Sequence, residues 1–305
     1  MADYDVVIIG AGLAGLTAGF TAARHGLRVG LVDRMGSGGQ ILNVDRLEGL
    51  PGFPEGVAGY EFGPILQEQA ETAGVEFILD TVVGIEVEGD DRIVHGTEGD
   101  LQTTTVIVAT GSSFRTLGIP GEARFVGHGV SNCASCDGPF FGGDRVAVVG
   151  GGDSAIEEAE VLTGHVDQVL VFNRGETFSA QQALVDCLAD KSNVELYHNS
   201  EVTEIVGEDT VTAVRVHNIL TGETRDEAVA GVFVFIGLEP NTHYLNGLVD
   251  LDSGGHVVTD LMMQTSVAGI FAAGDIRQGS VSLLPSVMGD GATAAVAAYR
   301  YIRGL

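Results

Sequence analysis

The chain of 305 residues carries 42 acidic and 15 basic side chains, which gives a formal net charge of −27. Such a charge excludes general nucleic-acid binding, which requires a basic face. No segment approaches the roughly 18 apolar residues that cross a membrane, and the N-terminus shows neither a basic leader nor a cleavage site. We therefore expect a cytoplasmic, unprocessed protein that binds neither nucleic acid nor membranes, with enough chain for two domains.

The basic residues include a single lysine, Lys191. An acidic surface depleted of lysine suits a high-salt cytoplasm, because salt screens the repulsion between carboxylates. Codon bias together with an ordinary acidic isoelectric point would give the same composition. Both explanations stay open on the sequence alone.

The chain opens with a strand, a tight turn, a helix and a second strand. The apolar run 6–9 predicts a buried parallel strand, the helix extends to about His25, and residues 28–32 predict a strand that ends on Asp33. The glycines of the turn fit G-x-G-x-x-G, which allows a tight turn, close approach to a pyrophosphate and packing of helix on strand. Asp33 stands where a carboxylate can accept ribose hydroxyls. The turn consists of Gly10, Ala11, Gly12, Leu13, Ala14 and Gly15.

The following segment mixes patterns. A helix is predicted near residues 60–73, the alternation from Phe77 to Val94 predicts a small β-meander, and residues 106–109 indicate another buried strand. Two further turns of small residues follow apolar runs, and small residues let the backbone come close to a ligand. These turns are Ala109-Thr110-Gly111 and Gly274-Asp275.

A second unit of the same kind begins near residue 145. A strand at 145–149 leads into the turn from Gly150 to Ala155, then a helix at 156–162 and a strand at 169–172. Two such units, about 140 residues apart, form a weak internal repeat. They predict an α/β fold with two Rossmann-like domains, the second inserted in the first. Further strands are predicted at 194–197, 211–216 and 232–236, and a long helix near the C-terminus ends close to Arg303.

Cys133 and Cys136 lie between the two glycine-rich turns and are followed directly by Asp137. Two thiols at this spacing can close into a reactive disulfide, and a Cys-x-x-Cys motif lowers the thiol pKa toward neutrality. In a cytosolic chain such a pair is typical of catalysis or metal binding. Zinc would need a second ligand pair, whereas Cys187 stands alone in an apolar helical pattern. We therefore expect no metal and a buried Cys187.

In this order, the motifs resemble those of the low-molecular-weight thioredoxin reductases over nearly the full chain. The resemblance implies a homodimer with three-layer ββα domains, FAD in the outer domain and NADPH in the inserted one. It also implies domain boundaries at 1–115, 116–243 and 244–305, and a thioredoxin-like protein as partner. The matching segments are Gly10 to Gly15, Gly38-Gly39-Gln40, Pro51-Gly52-Phe53, Ala109-Thr110-Gly111, Cys133 to Gly138, Gly150 to Ala155 with Glu157-Glu158-Ala159, Gly237 with Pro240-Asn241-Thr242, and Phe271 to Asp275.

The resemblance also implies a role for each site residue. Cys136 would contact the flavin, Cys133 would exchange with the partner disulfide, and Asp137 would be the general acid–base, since exchange needs a thiolate and a protonated leaving group. The second nucleotide site would use Gly151, Gly152, Asp153, Ser154 and Arg174. The FAD site would use the first glycine turn with Asp33, Arg34, Gly39, Gln40, Val83, Ala109, Thr110, Gly111, Gly274 and Asp275.

The chain departs from this family at the electron-donor site. NADPH-dependent members carry a His-Arg-Arg-x-x-x-Arg segment that grips the 2′-phosphate, whereas this chain has residues 173–179 with the sequence Asn-Arg-Gly-Glu-Thr-Phe-Ser. Gly175 and Ser179 replace two arginines, and Glu176 adds negative charge. The donor is therefore expected to be NADH, a weakly bound NADPH or a ferredoxin-like protein. Smaller departures occur at Leu47-Glu48-Gly49-Leu50, at Leu238-Glu239, and at Ser282-Leu283, where the family carries Arg-Gln before the last helix.

Three functions remain open on the sequence. The first is a flavin-dependent disulfide reductase acting on thioredoxin or a similar small protein. The second is a related FAD-dependent dithiol oxidase that uses oxygen, and the third is a flavin-binding redox sensor or scaffold. The context of Cys133 and Cys136, with Asp137 directly after them, favours the reductase.

Overall fold

The computed structural model describes residues 2–44, 46–47 and 49–305. The chain divides into two compact units, an outer unit formed by Met1–Ser113 with Glu239–Leu305 and an inserted unit formed by Phe114–Leu238. These divisions lie at residues 113/114 and 238/239, and the boundaries inferred from the resemblance lie at 115/116 and 243/244.

Both units combine strands and helices. In chain order they are β1 (Tyr4–Ile9), α1 (Leu13–Arg24), β2 (Val29–Asp33), α2 (Gly59–Thr72), β3 (Val75–Leu79), β4 (Val82–Glu88), β5 (Asp91–Gly96), β6 (Asp100–Val108), β7 (Ser112–Phe114), β8 (Val130–Ser131), α3 (Ala134–Asp137), β9 (Arg145–Val149), α4 (Asp153–Thr163), β10 (Gln168–Phe172), α5 (Gln182–Ala189), β11 (Val194–Tyr197), β12 (Ser200–Gly207), β13 (Val211–Asn218), β14 (Thr224–Ala228), β15 (Gly231–Val234), β16 (Leu238–Pro240), β17 (Ile270–Ala272) and α6 (Leu284–Arg303).

The outer unit is built on a seven-stranded sheet in the order β3-β2-β1-β6-β5-β4, with β17 also paired to β6. Strand β1 is parallel to β2 and β6, while β5 is antiparallel to β4 and β6. One face packs against α1 and α6, and the other packs against a cluster that includes Val94 and Tyr244. Because β1 is covered on both faces, its residues Val6, Val7 and Ile8 are fully buried, which explains an apolar run without alternation.

The inserted unit repeats this plan with a parallel sheet in the order β11-β10-β9-β15-β8 and an antiparallel sheet in the order β12-β13-β14. Helices α4 and α5 pack on one face of the parallel sheet, and side chains of β12 and β13 pack on the other. Both units therefore have the predicted Rossmann-like fold; the inserted unit has two separate sheet layers and one helical layer, whereas in the outer unit β4 and β5 continue the main sheet. A small two-stranded sheet pairs β7 with β16.

The predicted β-meander from Phe77 to Val94 is partly wrong. Phe77 belongs to β3, which pairs in parallel with β2 at the edge of the main sheet, and only β4 and β5 form the antiparallel hairpin. An edge strand exposes some of its side chains, so β3 shows a mixed burial pattern that resembles the alternation of a hairpin strand.

The expectation of a buried Cys187 is also wrong. Cys187 is an exposed free cysteine on α5, and its Sγ lies 3.7 Å from Oε1 of Glu160. The same carboxylate pairs with Lys191 at 3.2 Å. Helix α5 buries only a narrow stripe centred on Leu188, and Cys187 lies outside this stripe. None of the helices within residues 2–44, 46–47 and 49–305 combines the length and apolar character needed to cross a bilayer.

The net charge of −27 predicts that salt stabilises the fold. Ion pairs such as Arg28–Asp5 and Lys191–Glu160 are exposed and can neutralise only a few of the acidic side chains. Molar KCl shortens the Debye length to about 3 Å, which suppresses repulsion among the remaining carboxylates. We expect the melting temperature to rise between 0.1 M and 2 M KCl, with each kcal/mol gained worth roughly 2–4 °C.

A matched titration with sucrose provides the control, because sucrose carries no charge and acts by exclusion from the protein surface. A melting temperature that is constant or falls across the KCl range would contradict the electrostatic explanation. Codon bias would then be the better account of the acidic composition.

Candidate flavin and dithiol sites

The first glycine turn connects β1 to α1 and leaves open space at its centre. A Cβ at Gly10 would lie 2.4 Å from the carbonyl oxygen of Ala109, and one at Gly15 would lie 1.8 Å from the carbonyl oxygen of Gly10. Gly10 also has a φ of +105°, which favours glycine. Among the described residues, no atom lies within 4 Å of a Cβ built at Gly12. The turn is thus tightly packed at its two ends and forms a cradle above Gly12.

Asp33 ends β2 beside this cradle. Its Oδ2 accepts a hydrogen bond from the Ala11 amide at 2.8 Å, and its Oδ1 accepts from the amides of Met35 at 2.8 Å and Gly36 at 3.1 Å. The carboxylate therefore fixes the turn and the loop after β2. This places Asp33 next to the glycine turn, where a ribose is bound in dinucleotide folds.

The loop 38–40 lies against the turn. The Gly38 amide donates to the Ala11 carbonyl at 2.8 Å, and a Cβ at Gly39 would lie 3.1 Å from Cα of Gly12. Gln40 extends the contact, since its Nε2 donates to the Ser112 carbonyl at 2.6 Å. The structure thus brings Gly39 and Gln40 to the same end of the sheet as the glycine turn.

Two later segments complete this end of the outer unit. Thr110 and Asn241 exchange hydrogen bonds, from Thr110 Oγ1 to the Asn241 carbonyl at 3.0 Å and from Asn241 Nδ2 to the Thr110 carbonyl at 2.8 Å. Ser112 Oγ donates to the Asp275 carbonyl at 3.0 Å, and Ser280 Oγ donates to Asp275 Oδ1 at 2.8 Å. No motif marks either serine: the Ser112 hydroxyl reaches a residue 163 positions later, and Ser280 lies five residues after Asp275 in a segment without a recognisable pattern. Gly111 has a positive φ of +61°, and a Cβ at Gly274 would lie 2.9 Å from that of Ala14.

Arg34 and Val83 lie at the margin of this assembly. Arg34 is exposed directly after Asp33, and Val83 is 50% exposed on β4. The Asp80 amide donates to the Asp33 carbonyl at 3.1 Å, so the turn leading to β4 starts next to Asp33. Val83 lines a groove of about 440 Å³ with three further residues of β4, with His95 of β5 and with the segment 244–246.

The departures from the family in the outer unit have different surroundings. Leu47 and Leu50 are buried in a cluster with Leu13, while Glu48 lies outside the described residues. Ser282 has a φ of +50°, and Leu283 is 62% exposed. Nothing in the structure explains the replacement of the expected arginine and glutamine by Ser282 and Leu283.

The second glycine turn, between β9 and α4, is covered by its own chain. The Gly151 carbonyl accepts from the amides of Ser179 at 2.8 Å and Ala180 at 3.0 Å, and from Ser179 Oγ at 3.1 Å. Asp153 accepts from Gln181, at 2.7 Å from its amide and 3.1 Å from Nε2. These bonds hold the pKa of the Asp153 carboxyl below its usual value. The segment 179–181 therefore lies against the turn at which a dinucleotide would bind.

Asn173, which follows β10, is engaged within its own loop. Its side chain is buried, with Nδ2 donating to the Thr177 carbonyl at 2.8 Å and Oδ1 accepting from the Gly175 amide at 3.1 Å. A Cβ at Gly151 would lie 2.5 Å from the same Oδ1. Arg174, Glu176 and Ser154 are exposed. The loop 173–179 thus exposes one cation, Arg174, and one anion, Glu176. The side-chain amide of Asn173 is hydrogen-bonded within the loop itself.

The cysteine pair forms a disulfide across the start of α3, a single helical turn of the inserted unit. The sulfurs of Cys133 and Cys136 are 2.08 Å apart, and their Cα atoms are 5.4 Å apart. Cys133 caps α3, the Cys136 amide lies 3.3 Å from Cys133 Sγ, and the Cys133 amide donates to Ser131 Oγ at 3.0 Å. Cys136 is exposed and Cys133 half-buried. An amide that points at Cys133 Sγ favours a thiolate on that sulfur after reduction.

Asp137 ends α3 directly after the disulfide and is half-buried. Its amide donates to the Cys133 carbonyl at 3.2 Å, which ties it to the loop. Gly138 follows, and a Cβ there would lie 3.0 Å from Cδ2 of Leu162 on α4. Within the part of the chain that the structure describes, no group of three or more His, Cys, Asp and Glu side chains is placed to hold a metal ion.

Comparison with known proteins places this arrangement in a class. The model of the pyridine nucleotide-disulphide oxidoreductase family matches residues 4–297, so the chain belongs to that family and is an oxidoreductase. Members of this class of reductase are FAD-dependent and take NAD(P)H as reductant.

The more specific relationship follows from individual relatives. The thioredoxin reductase of Treponema pallidum is 41% identical over 302 residues, which cover 98% of this chain and 97% of the relative. The crystal structure of Lactococcus lactis thioredoxin reductase matches with a TM-score of 0.90 and 37% identity, over 99% of this chain and 100% of that one. That of the T. acidophilum enzyme matches with a TM-score of 0.85 and 33% identity, over 98% of both chains. The chain belongs to the low-molecular-weight thioredoxin reductase family.

Proposed function

We propose that this protein is a flavin-dependent disulfide reductase that delivers two electrons through Cys133 and Cys136 to thioredoxin or a similar small protein. The observation that carries the proposal is the disulfide between these cysteines, in a partly exposed loop with Asp137 directly after it. Membership of the thioredoxin reductase family supports the same substrate class. It also supports a homodimer in the cytoplasm as part of the proposal.

The outer unit has the features that an FAD site needs. The cradle above Gly12 would accept the pyrophosphate, because glycine leaves this space open. The first turn of α1 points backbone amides toward it and carries no acidic side chain. Asp33 would bind the ribose. When bound, FAD supplies the two-electron chemistry between the donor and the disulfide. The residues proposed to hold it are the turn from Gly10 to Gly15 with Asp33, Arg34, Gly39, Gln40, Val83, Ala109, Thr110, Gly111, Gly274 and Asp275.

The dithiol acts on the partner by exchange. Once two electrons have broken the Cys133–Cys136 bond, the Cys133 thiolate attacks the partner disulfide and releases one partner thiolate, to which Asp137 gives a proton. Cys136 then gives its proton to Asp137 and, as a thiolate, attacks the Cys133 sulfur of the mixed disulfide, which releases the second partner thiolate and restores the starting bond. Cys136 is proposed as the sulfur that receives electrons from the flavin side.

The electron donor of this proposal is NADH or a reduced ferredoxin-like protein rather than NADPH. Gly175 and Ser179 stand where arginines would hold a 2′-phosphate, and Glu176 would repel it. The contacts at the glycine turn between β9 and α4 support a weak nucleotide site, because Ser179 and Gln181 already form hydrogen bonds with Gly151 and Asp153. Any nicotinamide nucleotide bound there would contact Gly151, Gly152, Asp153, Ser154 and Arg174.

Steady-state kinetics with thioredoxin should show a lower kcat/KM for NADPH than for NADH. Each charge-assisted hydrogen bond is worth about 1.5–3 kcal/mol, so two missing arginines weaken NADPH binding on the order of 100-fold or more. Adding Ser179→Arg together with Glu176→Gln should raise kcat/KM for NADPH by about tenfold or more.

The uncharged variant Ser179→Gln, combined with the same Glu176→Gln change, serves as control; it only removes the repulsion by Glu176, so it should improve the use of NADPH far less than the variant with Ser179→Arg does. An NADPH KM in the low micromolar range with strong preference over NADH in the wild type would contradict the donor assignment. Oxygen consumption driven by a small dithiol, without thioredoxin turnover, would identify the dithiol oxidase instead.

A further inference from the structure

Residues 133–137, which carry both cysteines and include α3, are called the redox loop here. A hydrogen bond to one carboxylate of helix α4 connects this loop to the helix. Ala134, between the two cysteines, is fully buried, and its amide donates to Oε2 of Glu158 at 3.0 Å. Glu158 belongs to the second turn of α4, which packs directly against α3. This contact fixes the backbone directly after Cys133, and Ser131 Oγ accepts a second hydrogen bond from the Cys133 amide.

Glu158 is half-buried, so its charge is poorly screened at this point. Burial is the main cause that raises the pKa of Glu158, the Ala134 amide opposes this shift, and the charge of Glu157 adds to it. Asp137 ends α3, and α4 also carries Asp153, Glu157 and Glu160. Helix α5, which packs on α4, adds Asp186 and Cys187, and His165 follows α4 with its Cδ2 3.4 Å from a Cβ built at Gly138. The carboxylate of Glu158 is the one in hydrogen-bond contact with the loop.

We infer that Glu158 is a positioning residue for the dithiol: its carboxylate holds the redox loop through Ala134, and its charge keeps the Cys133–Cys136 couple reducing. This inference rests on the proposed redox role of the pair. Reduction adds two electrons, breaks the S–S bond and takes up one proton, leaving one thiol and one thiolate. A nearby carboxylate destabilises that thiolate, so the reduced pair passes its electrons to a partner disulfide more readily.

The charge and the hydrogen bond of Glu158 can be separated by substitution. In Glu158→Gln the side-chain oxygen still accepts from the Ala134 amide, but the charge is gone. Glu158→Asp keeps the charge on a shorter side chain. Glu160→Gln removes one charge from the same helix at a carboxylate that pairs with Lys191, and it serves as the matched control.

The equilibrium of the holoenzyme disulfide is measured in glutathione or dithiothreitol buffers by alkylating the free thiols. Glu158→Gln should shift the equilibrium about tenfold toward the dithiol, which is about 30 mV for a two-electron couple. It should also lower the pKa of the reactive thiol, measured from the pH dependence of alkylation. Glu160→Gln should stay close to the wild type. Glu158→Asp keeps the charge but shortens the reach to the Ala134 amide, so it should shift the equilibrium much less than Glu158→Gln.

An unchanged equilibrium in Glu158→Gln would overturn the inference, and so would an equal shift in Glu160→Gln, which would show a general charge effect. A shift in Glu158→Asp as large as that in Glu158→Gln would show that geometry, and not charge, sets the potential. These measurements need neither thioredoxin nor a nucleotide donor. A wild-type disulfide that exchanges with neither buffer would overturn the proposed function itself.

Discussion

Replacing either cysteine of the redox pair with serine should lower the turnover of thioredoxin by on the order of 10³-fold or more, because the nucleophile or its resolving partner is lost. Cys136→Ser should block electron transfer from the flavin side to the pair. Cys133→Ser should leave Cys136 in place but prevent attack on the protein partner. Thioredoxin reduction, followed by the appearance of its thiols, measures the loss.

The exposed Cys187 provides the matched control for this experiment. It lies on α5 of the same inserted unit, so Cys187→Ser makes the same chemical change away from the disulfide. Its activity should equal that of the wild type. Full disulfide reductase activity in either Cys133→Ser or Cys136→Ser would rule out the assignment of the redox pair.

Gly12→Val should yield a folded protein without flavin. Apart from its chain neighbours, no described atom lies within 4 Å of a Cβ at Gly12, so a side chain can start there and would occupy the space proposed for the pyrophosphate. The FAD content of the purified protein, measured by flavin absorbance, should fall from about one FAD per chain to nearly none. Circular dichroism should show an unchanged fold.

The equivalent change in the second glycine turn is the control. A Cβ at Gly152 has its nearest neighbour at 3.8 Å, in Ser179 Oγ, so Gly152→Val also fits the chain and should retain its flavin. Gly12→Val that stays yellow, or a wild type that is stable and colourless without FAD, would contradict the assignment of the first turn.

Several parts of the architecture follow from local patterns. The first strand, its glycine turn and Asp33 could be predicted because a strand buried on both faces is a continuous apolar run and the turn requires glycine at Gly10. The predicted end of α1 near His25 agrees with the observed helix, which ends at Arg24 before Gly26 with its positive φ of +77°. The Cys-x-x-Cys spacing predicted a pair that can close, and the structure shows the disulfide.

Other features depend on contacts between residues that are distant in sequence. The segment 179–181 covers the second turn through bonds that span 28 residues, and Ser112 reaches Asp275 over 163 residues. The bond between Ala134 and Glu158 joins a loop to a helix 24 residues later. No periodicity or motif encodes such contacts. The exposure of Cys187 was missed for a related reason, since an apolar helix pattern does not tell how narrow the buried stripe is.

The most direct test of the account is an anaerobic count of the thiols formed at Cys133 and Cys136 when the holoenzyme receives NADH, NADPH or reduced ferredoxin. We expect both thiols to appear with NADH or reduced ferredoxin, to appear much more slowly with NADPH, and to disappear when oxidised thioredoxin is added. A pair that stays oxidised with every donor while thioredoxin is still reduced would contradict the account.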